Sequence, residues 1–259
     1  ADYRALGSVG STSLLVTLFT GFLIGMGAGV NVRVAHGLGA GNQKETEETI
    51  HSSFLICLVT GLIICAVGLT SSRAFLTLLH TKDELMEGAV NYLQIYSLGM
   101  PAMGLYNFGN GVMSARGDTK RPLVYLLIAG VLNVIMNLIF VIGFHMAAEG
   151  VAIASVMAQY TSAGLVLHHL WRRRDVCRLQ LRKVRFHRIL GIPGGLQQAI
   201  FAIANLFVQA GVNSFDAVTV SGNAAAANTD PLVYNSMFAF YTACASFMSR
   251  NLGAGKKER

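Results

Sequence analysis

Amides are the polar residues that this chain places inside its oily stretches. Asn133 and Asn137 stand four apart, so both lie on one face of a helix. Ser155 and Gln159 repeat that spacing, and Asn107 and Asn110 follow Pro101 three apart. Gln198, Asn205 and Gln209, with Asn213, make a longer stripe. An amide offers a carbonyl oxygen to a cation or a donor, and N–H groups to an acceptor, but it carries no titratable proton. Two chemistries are open to such pairs. They line a cavity that binds an ion or solute, or they bond helix to helix, worth about 0.6 to 2 kcal/mol per contact in lipid. Catalysis fits poorly, and no enzyme is expected. There is no H-E-x-x-H pair and no serine–histidine arrangement. All thirteen acidic residues fall outside or at the edge of the apolar runs. Cys57, Cys65, Cys177 and Cys244 lack metal-ligand spacing, so no metal and no cofactor are expected.

The elements that must hold these amides are long apolar helices. Of 259 residues 53% are hydrophobic and only 13% charged, against about 25% charged in a soluble domain. Mean hydropathy is +0.51. A membrane-spanning helix takes roughly 20 apolar residues. Seven such runs lie near 12–35, 50–70, 89–113, 122–144, 150–171, 189–212 and 231–249. They are too continuous for the alternating strands of a membrane barrel. The expected fold class is therefore an all-α polytopic membrane protein with lipid as its surroundings.

Seven spans sort the loops into two sets. Segments 36–49, 114–121, 172–188 and 250–259 carry sixteen lysines and arginines. The opposite set carries only Arg4, Arg73 and Lys82, and Arg33 lies near one end of the first span. Cytoplasmic loops are rich in lysine and arginine, so the first set is expected in the cytoplasm. The net charge of +7 thus belongs to membrane sidedness. The run 172–188 is flanked closely by apolar spans, and no nucleic-acid partner is expected. The chain begins at Ala1 and stops in mid-pattern, and is read as an internal fragment.

Leu38-Gly39-Ala40-Gly41 recurs as Leu252-Gly253-Ala254-Gly255, 214 residues on. Each copy closes an apolar run and opens a charged one. An even number of spans separates them, which places both on one side as a parallel repeat, a plan found in secondary transporters. Gly21, Gly25 and Gly29 read as a helix-packing ridge. Pro101 and Pro193, in or near the start of spans, mark kinks: static bends, or hinges for alternating access.

Three stretches together resemble the multidrug and toxic compound extrusion (MATE) transporters. One is Gly37-Leu38-Gly39-Ala40-Gly41-Asn42 with its second copy. Another is Gly99-Met100-Pro101 followed by Arg116-Gly117-Asp118-Thr119-Lys120-Arg121-Pro122. The third is Asn133 and Asn137, then Gly150-Val151-Ala152-Ile153-Ala154-Ser155. Gly191-Ile192-Pro193-Gly194-Gly195 is similar to the start of that family's seventh helix. The resemblance implies a bundle of twelve helices in two lobes, of which this chain would hold about the second to eighth. Residues 1–171 would form most of the N-terminal lobe, 172–188 a basic linker, and 189–259 the start of the C-terminal lobe. It implies a cation-coupled antiporter, driven by H⁺ or Na⁺ and monomeric when complete. Such a protein exports drugs or other amphipathic organic compounds from a bacterial cell across its cytoplasmic membrane. The cavity residues would be Asn107, Asn110, Asn133, Asn137, Ser155, Gln159, Gln198, Asn205 and Gln209. Two departures matter. Proton-coupled relatives carry an aspartate where Asn137 stands, and sodium-type relatives a glutamate where Phe201 stands. The alternative is a lipid-linked sugar flippase of the same superfamily, which would need basic residues inside its cavity.

Overall fold

Backbone groups in lipid have no water to bond, so each oily run closes its hydrogen bonds within itself. The computed structural model describes residues 3–79, 81–173, 175–180, 195–197, 199–200, 203–205, 208, 230–256 and 258. Among these every regular element is helical. They are α1 (Tyr3–Gly39), α2 (Gln43–Leu78), α3 (Asp83–Ser97), α4 (Met100–Ala115), α5 (Lys120–Leu138, prolonged by a π-helical turn over Ile139–Gly143), α6 (Ala148–Arg172) and α7 (Asp230–Gly253). Among the described residues four segments are long and apolar enough to cross a membrane: Gly7–Gly39, Gln43–Leu78, Lys120–Gly143 and Ala148–Arg172. The protein is an all-α polytopic membrane protein. The run 189–212 lies mostly outside the described residues.

The run 89–113, expected as one helix, is two. α3 and α4 have 15 and 16 residues and part at Leu98 and Gly99. Pro101 has no N–H to give the Ser97 carbonyl, so the ladder stops there. The chain tightens instead, with Leu98 N–H on Ile95 O at 3.1 Å and Gly99 N–H on Tyr96 O at 3.0 Å. Pro101 then occupies the first turn of α4, where a missing donor is harmless. It marks a break in the helix where a bend was expected.

α4 forms the centre. Its Phe108, Val112 and Met113 are buried against Leu23, Met26 and Val30 of α1 and Ile50 and Cys57 of α2. Glycine lets the backbones meet: a Cβ on Gly27 would stand 2.7 Å from the Asn107 carbonyl oxygen, and one on Gly104 2.6 Å from that of Cys57. Of the expected ridge, Gly25 is buried but Gly21 takes no part, since a Cβ there meets nothing within 4 Å. Gly27 makes the close approach. α5 packs chiefly on α6 and turns Leu123, Leu127, Val131, Val134 and Leu138 outward, a face suited to lipid.

Long-range contacts sort the loops by end. Arg116 pairs with Asp175, and the Gln180 backbone N–H donates to Nε2 of buried His51 at 3.0 Å. Asp175 also takes Arg173 Nε at 3.2 Å and the Cys177 N–H at 3.0 Å, which fastens residues 175–180 under α2, α4 and α6. Arg33 pairs with Glu45 at 3.3 Å at the same end. At the other end Arg73 meets Glu87 at 2.5 Å, and Asn91 donates to Glu149 at 2.8 Å. The loops rich in lysine and arginine thus share one end of the bundle.

α1 and α7 finish alike. Gly41 and Gly255 have φ of +66° and +72°, the left-handed conformation that closes a helix. Asn42 N–H reaches Gly37 O at 3.2 Å and Gly41 N–H reaches Leu38 O at 3.3 Å. Lys256 N–H reaches Asn251 O at 2.9 Å and Gly255 N–H reaches Leu252 O at 3.0 Å. The sequence repeat is a repeated helix terminus.

Candidate functional site: an amide column between α5 and α6

α5 and α6 run antiparallel, joined by the turn at 144–147. Residues advancing along α5 therefore meet residues retreating along α6. Asn133 Nδ2 donates to Ser155 Oγ at 3.4 Å, and Asn137 Nδ2 donates to Asn133 Oδ1 at 3.0 Å. Ser155 Oγ in turn donates to Val151 O at 2.9 Å. Three of the sequence-predicted residues thus form one chain of bonds, half-buried between the helices. Its end is open: Asn137 Oδ1 is buried and has no partner.

Gln159 continues the column one turn from Ser155, toward the basic end. It stands at the break between α3 and α4. A Cβ on Gly99 would run into its Oε1, and Tyr96 packs against it. Gln159 Oε1 is likewise buried without a partner. The next residue, Tyr160, donates its hydroxyl to the Leu98 carbonyl at 3.0 Å, satisfying a group the break has freed. With about 1.5 Å of rise per residue, Asn137 and Gln159 end up about two turns apart, at opposite ends of one polar line.

Asn107 and Asn110 stand apart from this line. Asn107 is 7% exposed, donates to Met103 O on its own helix at 2.9 Å, and lies in the tight seam between α4 and α1. Asn110 accepts from Ser114 Oγ at 3.4 Å. Asn205 is exposed on a helical stretch. Gln198, Gln209 and Pro193 lie outside the described residues.

A second concavity of about 520 Å³ is lined by Gln197, Ile200 and Ala204 on one side and Tyr234, Met237, Phe238 and Tyr241 of α7 on the other. Sequence reasoning missed these aromatics. Their i, i+3, i+4, i+7 spacing was the available signal. It also missed Asn31, 2% exposed in α1 with its Oδ1 unpartnered.

Among the described residues no three of His, Cys, Asp and Glu converge as a metal site. The column is neutral. It offers unpaired carbonyl oxygens and a hydroxyl, which suit hydrogen-bond donors and weakly held cations, and no group in it titrates near neutrality.

A family model described as MatE matches residues 2–139. The probable multidrug resistance protein YpnP of Bacillus subtilis is 28% identical over 99% of this chain, which spans 59% of that relative's length. A MATE family transporter solved in an outward-facing conformation superposes with a TM-score of 0.89 at 20% identity, over 98% of this chain and 59% of its own. One solved facing inward gives 0.75 at 18% identity, over 95% and 62%.

Proposed function

Because the chain belongs to the MatE family, we propose that it forms the larger part of a secondary efflux transporter in a bacterial cytoplasmic membrane. It exports amphipathic, often cationic organic compounds in exchange for H⁺ or Na⁺. α1 to α6 belong to one lobe and α7 to the other, with the basic end in the cytoplasm. The lobes rock between inward- and outward-open states, and a ligand drives that shift only through unequal affinity for the two. The whole protein works as a monomer. Since the chain spans about three-fifths of its relatives, the stretch by itself does not transport.

The amide column carries this reading. Two acceptor oxygens, Asn137 Oδ1 and Gln159 Oε1, are left unpaired in otherwise apolar helices, a penalty of about 1–3 kcal/mol each that a bound solute or ion offsets. No acidic residue falls inside the column, so the coupling group belongs to helices outside this stretch. Arg33, the basic residue within a span, is already paired with Glu45, which disfavours a pyrophosphate-bearing lipid as cargo. The better match to the outward-facing relative supports a structure closed at its basic end.

The test is efflux of a fluorescent organic cation by the full-length protein in vesicles under an imposed pH or sodium gradient. Gradient-dependent export is expected. Its absence under both gradients would refute the assignment.

A further inference from the structure

The faces that α5 and α6 turn outward change chemistry at the basic end of the bundle. Lys120, Leu123, Leu127, Val131 and Val134 fall at i, i+3, i+7, i+11 and i+14 along α5, and all are exposed. Met157, Tyr160, Gly164, His168 and Trp171 repeat that spacing along α6, and they too are exposed. Most of each stripe offers carbon to lipid tails. The basic end of each offers groups suited to the headgroup level: Lys120 on one helix, His168 and Trp171 on the other. Trp171, the single tryptophan of the chain, is 62% exposed, and tryptophan is enriched at that depth of a membrane.

Beside these stripes stand donors that lack acceptors. His169 Nε2 and, one turn on, Arg173 Nη1 are buried with no hydrogen-bond partner. Tyr125 of α5 faces His169 with ring centroids 6.3 Å apart, and the charges of Arg173, Arg121, Asp118 and Asp175 act on the imidazole. The two acids are already engaged. Asp175 takes Arg116 and Arg173 Nε, and Asp118 takes Arg121 Nη1 at 2.7 Å. Against these two carboxylates stand Arg116, Lys120, Arg121, Arg172 and Arg173. Lys120 and Arg172 enter no ion pair among the described residues. Leaving a guanidinium N–H buried and unpaired is costly, and a phosphate oxygen matches it in charge and geometry. Basic pockets between membrane helices on the cytoplasmic side hold anionic headgroups in this way. Both nitrogens are shielded from water, so an anion reaches them as Arg121, its side chain 56% exposed, turns aside.

We propose that the mouth between the start of α5 and the end of α6 binds the phosphate of an anionic phospholipid. Arg173 and His169 hold the phosphate, Lys120 and Arg172 surround the headgroup, and the acyl chains lie along the two stripes. The site requires that the bundle sit in a membrane and is independent of transport. In the test, full-length protein in a neutral detergent is titrated with phosphatidylglycerol or with phosphatidylcholine, and bound lipid is counted by native mass spectrometry. Phosphatidylglycerol should bind about tenfold more tightly than phosphatidylcholine, and Arg173→Gln should remove about that factor. Asp175→Asn breaks the same linker pair from its other side and should leave phosphatidylglycerol bound as in the parent or more tightly. Lipid sites elsewhere on the protein are common to all variants and cancel in the comparison. A role for Arg173 confined to fastening the linker predicts one response from both variants, so equal weakening by the two overturns the site. Where Arg173→Gln disturbs the fold, the exposed pair Lys120→Gln, Arg172→Gln decides. It should weaken phosphatidylglycerol about threefold or more and spare phosphatidylcholine, and unchanged phosphatidylglycerol binding overturns the proposal. Equal affinity of the parent for the two lipids overturns it as well. Displacement of phosphatidylglycerol by an equal concentration of glycerol 3-phosphate would make this a site for free anions and sink the lipid assignment.

Discussion

Leucine at Asn133 and leucine at Asn137 are the same change one turn apart, yet the bond chain between α5 and α6 makes them opposites. Asn133 is the middle link. Removing it breaks the 3.0 Å bond from Asn137 and the 3.4 Å bond to Ser155, and leaves the Asn137 amide with neither group paired. One lost interhelical bond at about 0.6 kcal/mol, one i,i+4 side-chain bond within α5 at about 0.2–0.5 kcal/mol and one new orphan at about 1–3 kcal/mol give a loss of about 2–4 kcal/mol. Asn137→Leu breaks one bond, leaving Asn133 Oδ1 without that donor, and at the same stroke removes an acceptor that was already unpaired, so one orphan replaces another. Its effect on stability lies within about 1 kcal/mol of zero, with stabilisation as acceptable as loss. Transport does not follow stability. If the unpaired oxygen is the group offered to cargo, Asn137→Leu reduces gradient-driven efflux tenfold or more while the fold is unharmed. Unfolding of detergent-solubilised protein by heat or SDS measures the first quantity, and vesicle efflux the second. Equal destabilisation by both variants would refute the orphan argument. Parental efflux from Asn137→Leu would remove the column from the transport path.

Asn137→Asp puts a titratable group into a neutral column and should give efflux a pH dependence that the parent lacks; a profile superimposable on the parent's would count against a place for this residue on the transport path. Gly27→Ala, whose Cβ would stand 2.7 Å from Asn107 O, should lose about 1–3 kcal/mol by overpacking, whereas Gly21→Ala in open space should gain about 0.5–1 kcal/mol, both read by unfolding. At Asp175 burial pushes the carboxyl's pKa up, but the Cys177 N–H and the guanidiniums of Arg173 and Arg116 outweigh it and hold it below the ordinary value. The folded pKa being depressed, its contribution is present above the unfolded value near 3.9 and fades as pH falls through the folded one. Linker docking is therefore constant from about pH 5 to 8, and Asp175→Asn costs less than about 1 kcal/mol for so exposed a pair. Burial raises the Cys177 thiol, so it should alkylate slowly at pH 7.5. Releasing the linker with His51→Ala should accelerate that at least tenfold, and an unchanged rate would deny that His51 holds it.

The all-helical class and the gathering of the described basic loops at one end were legible in the residues because lipid imposes them: an apolar run has one way to satisfy its backbone. Asn133, Asn137 and Ser155 were also legible, since a spacing of four fixes a common face and both helices bear such pairs. Asn107 shows the limit. Its type matches Asn133 and it too has a paired amide on its helix, but glycine at position 27 brings α1 against it, and whether an amide faces a neighbour or a cavity depends on that distant glycine. Pro101 was seen as a bend. That it ends one helix and starts another depends on Gly99 and on Tyr160, which supplies a donor to the exposed carbonyl of Leu98. The aromatics of α7 escaped notice because tyrosine and phenylalanine at helical spacing look the same whether they face lipid or a hollow.

On the two-lobe reading proposed above, pinning residues 175–180 beneath α2, α4 and α6 would shorten the leash on the second lobe. The basic segment 172–188 looks like a generous strap, but Gln180 is already tied to His51. At most eight residues, 181–188, remain before the next apolar run. At about 3.3–3.6 Å per residue they reach no farther than roughly 29 Å. In the proposed transporter any swing of the partner lobe would have to fit inside that radius, and lengthening the strap would loosen the stroke without touching either lobe.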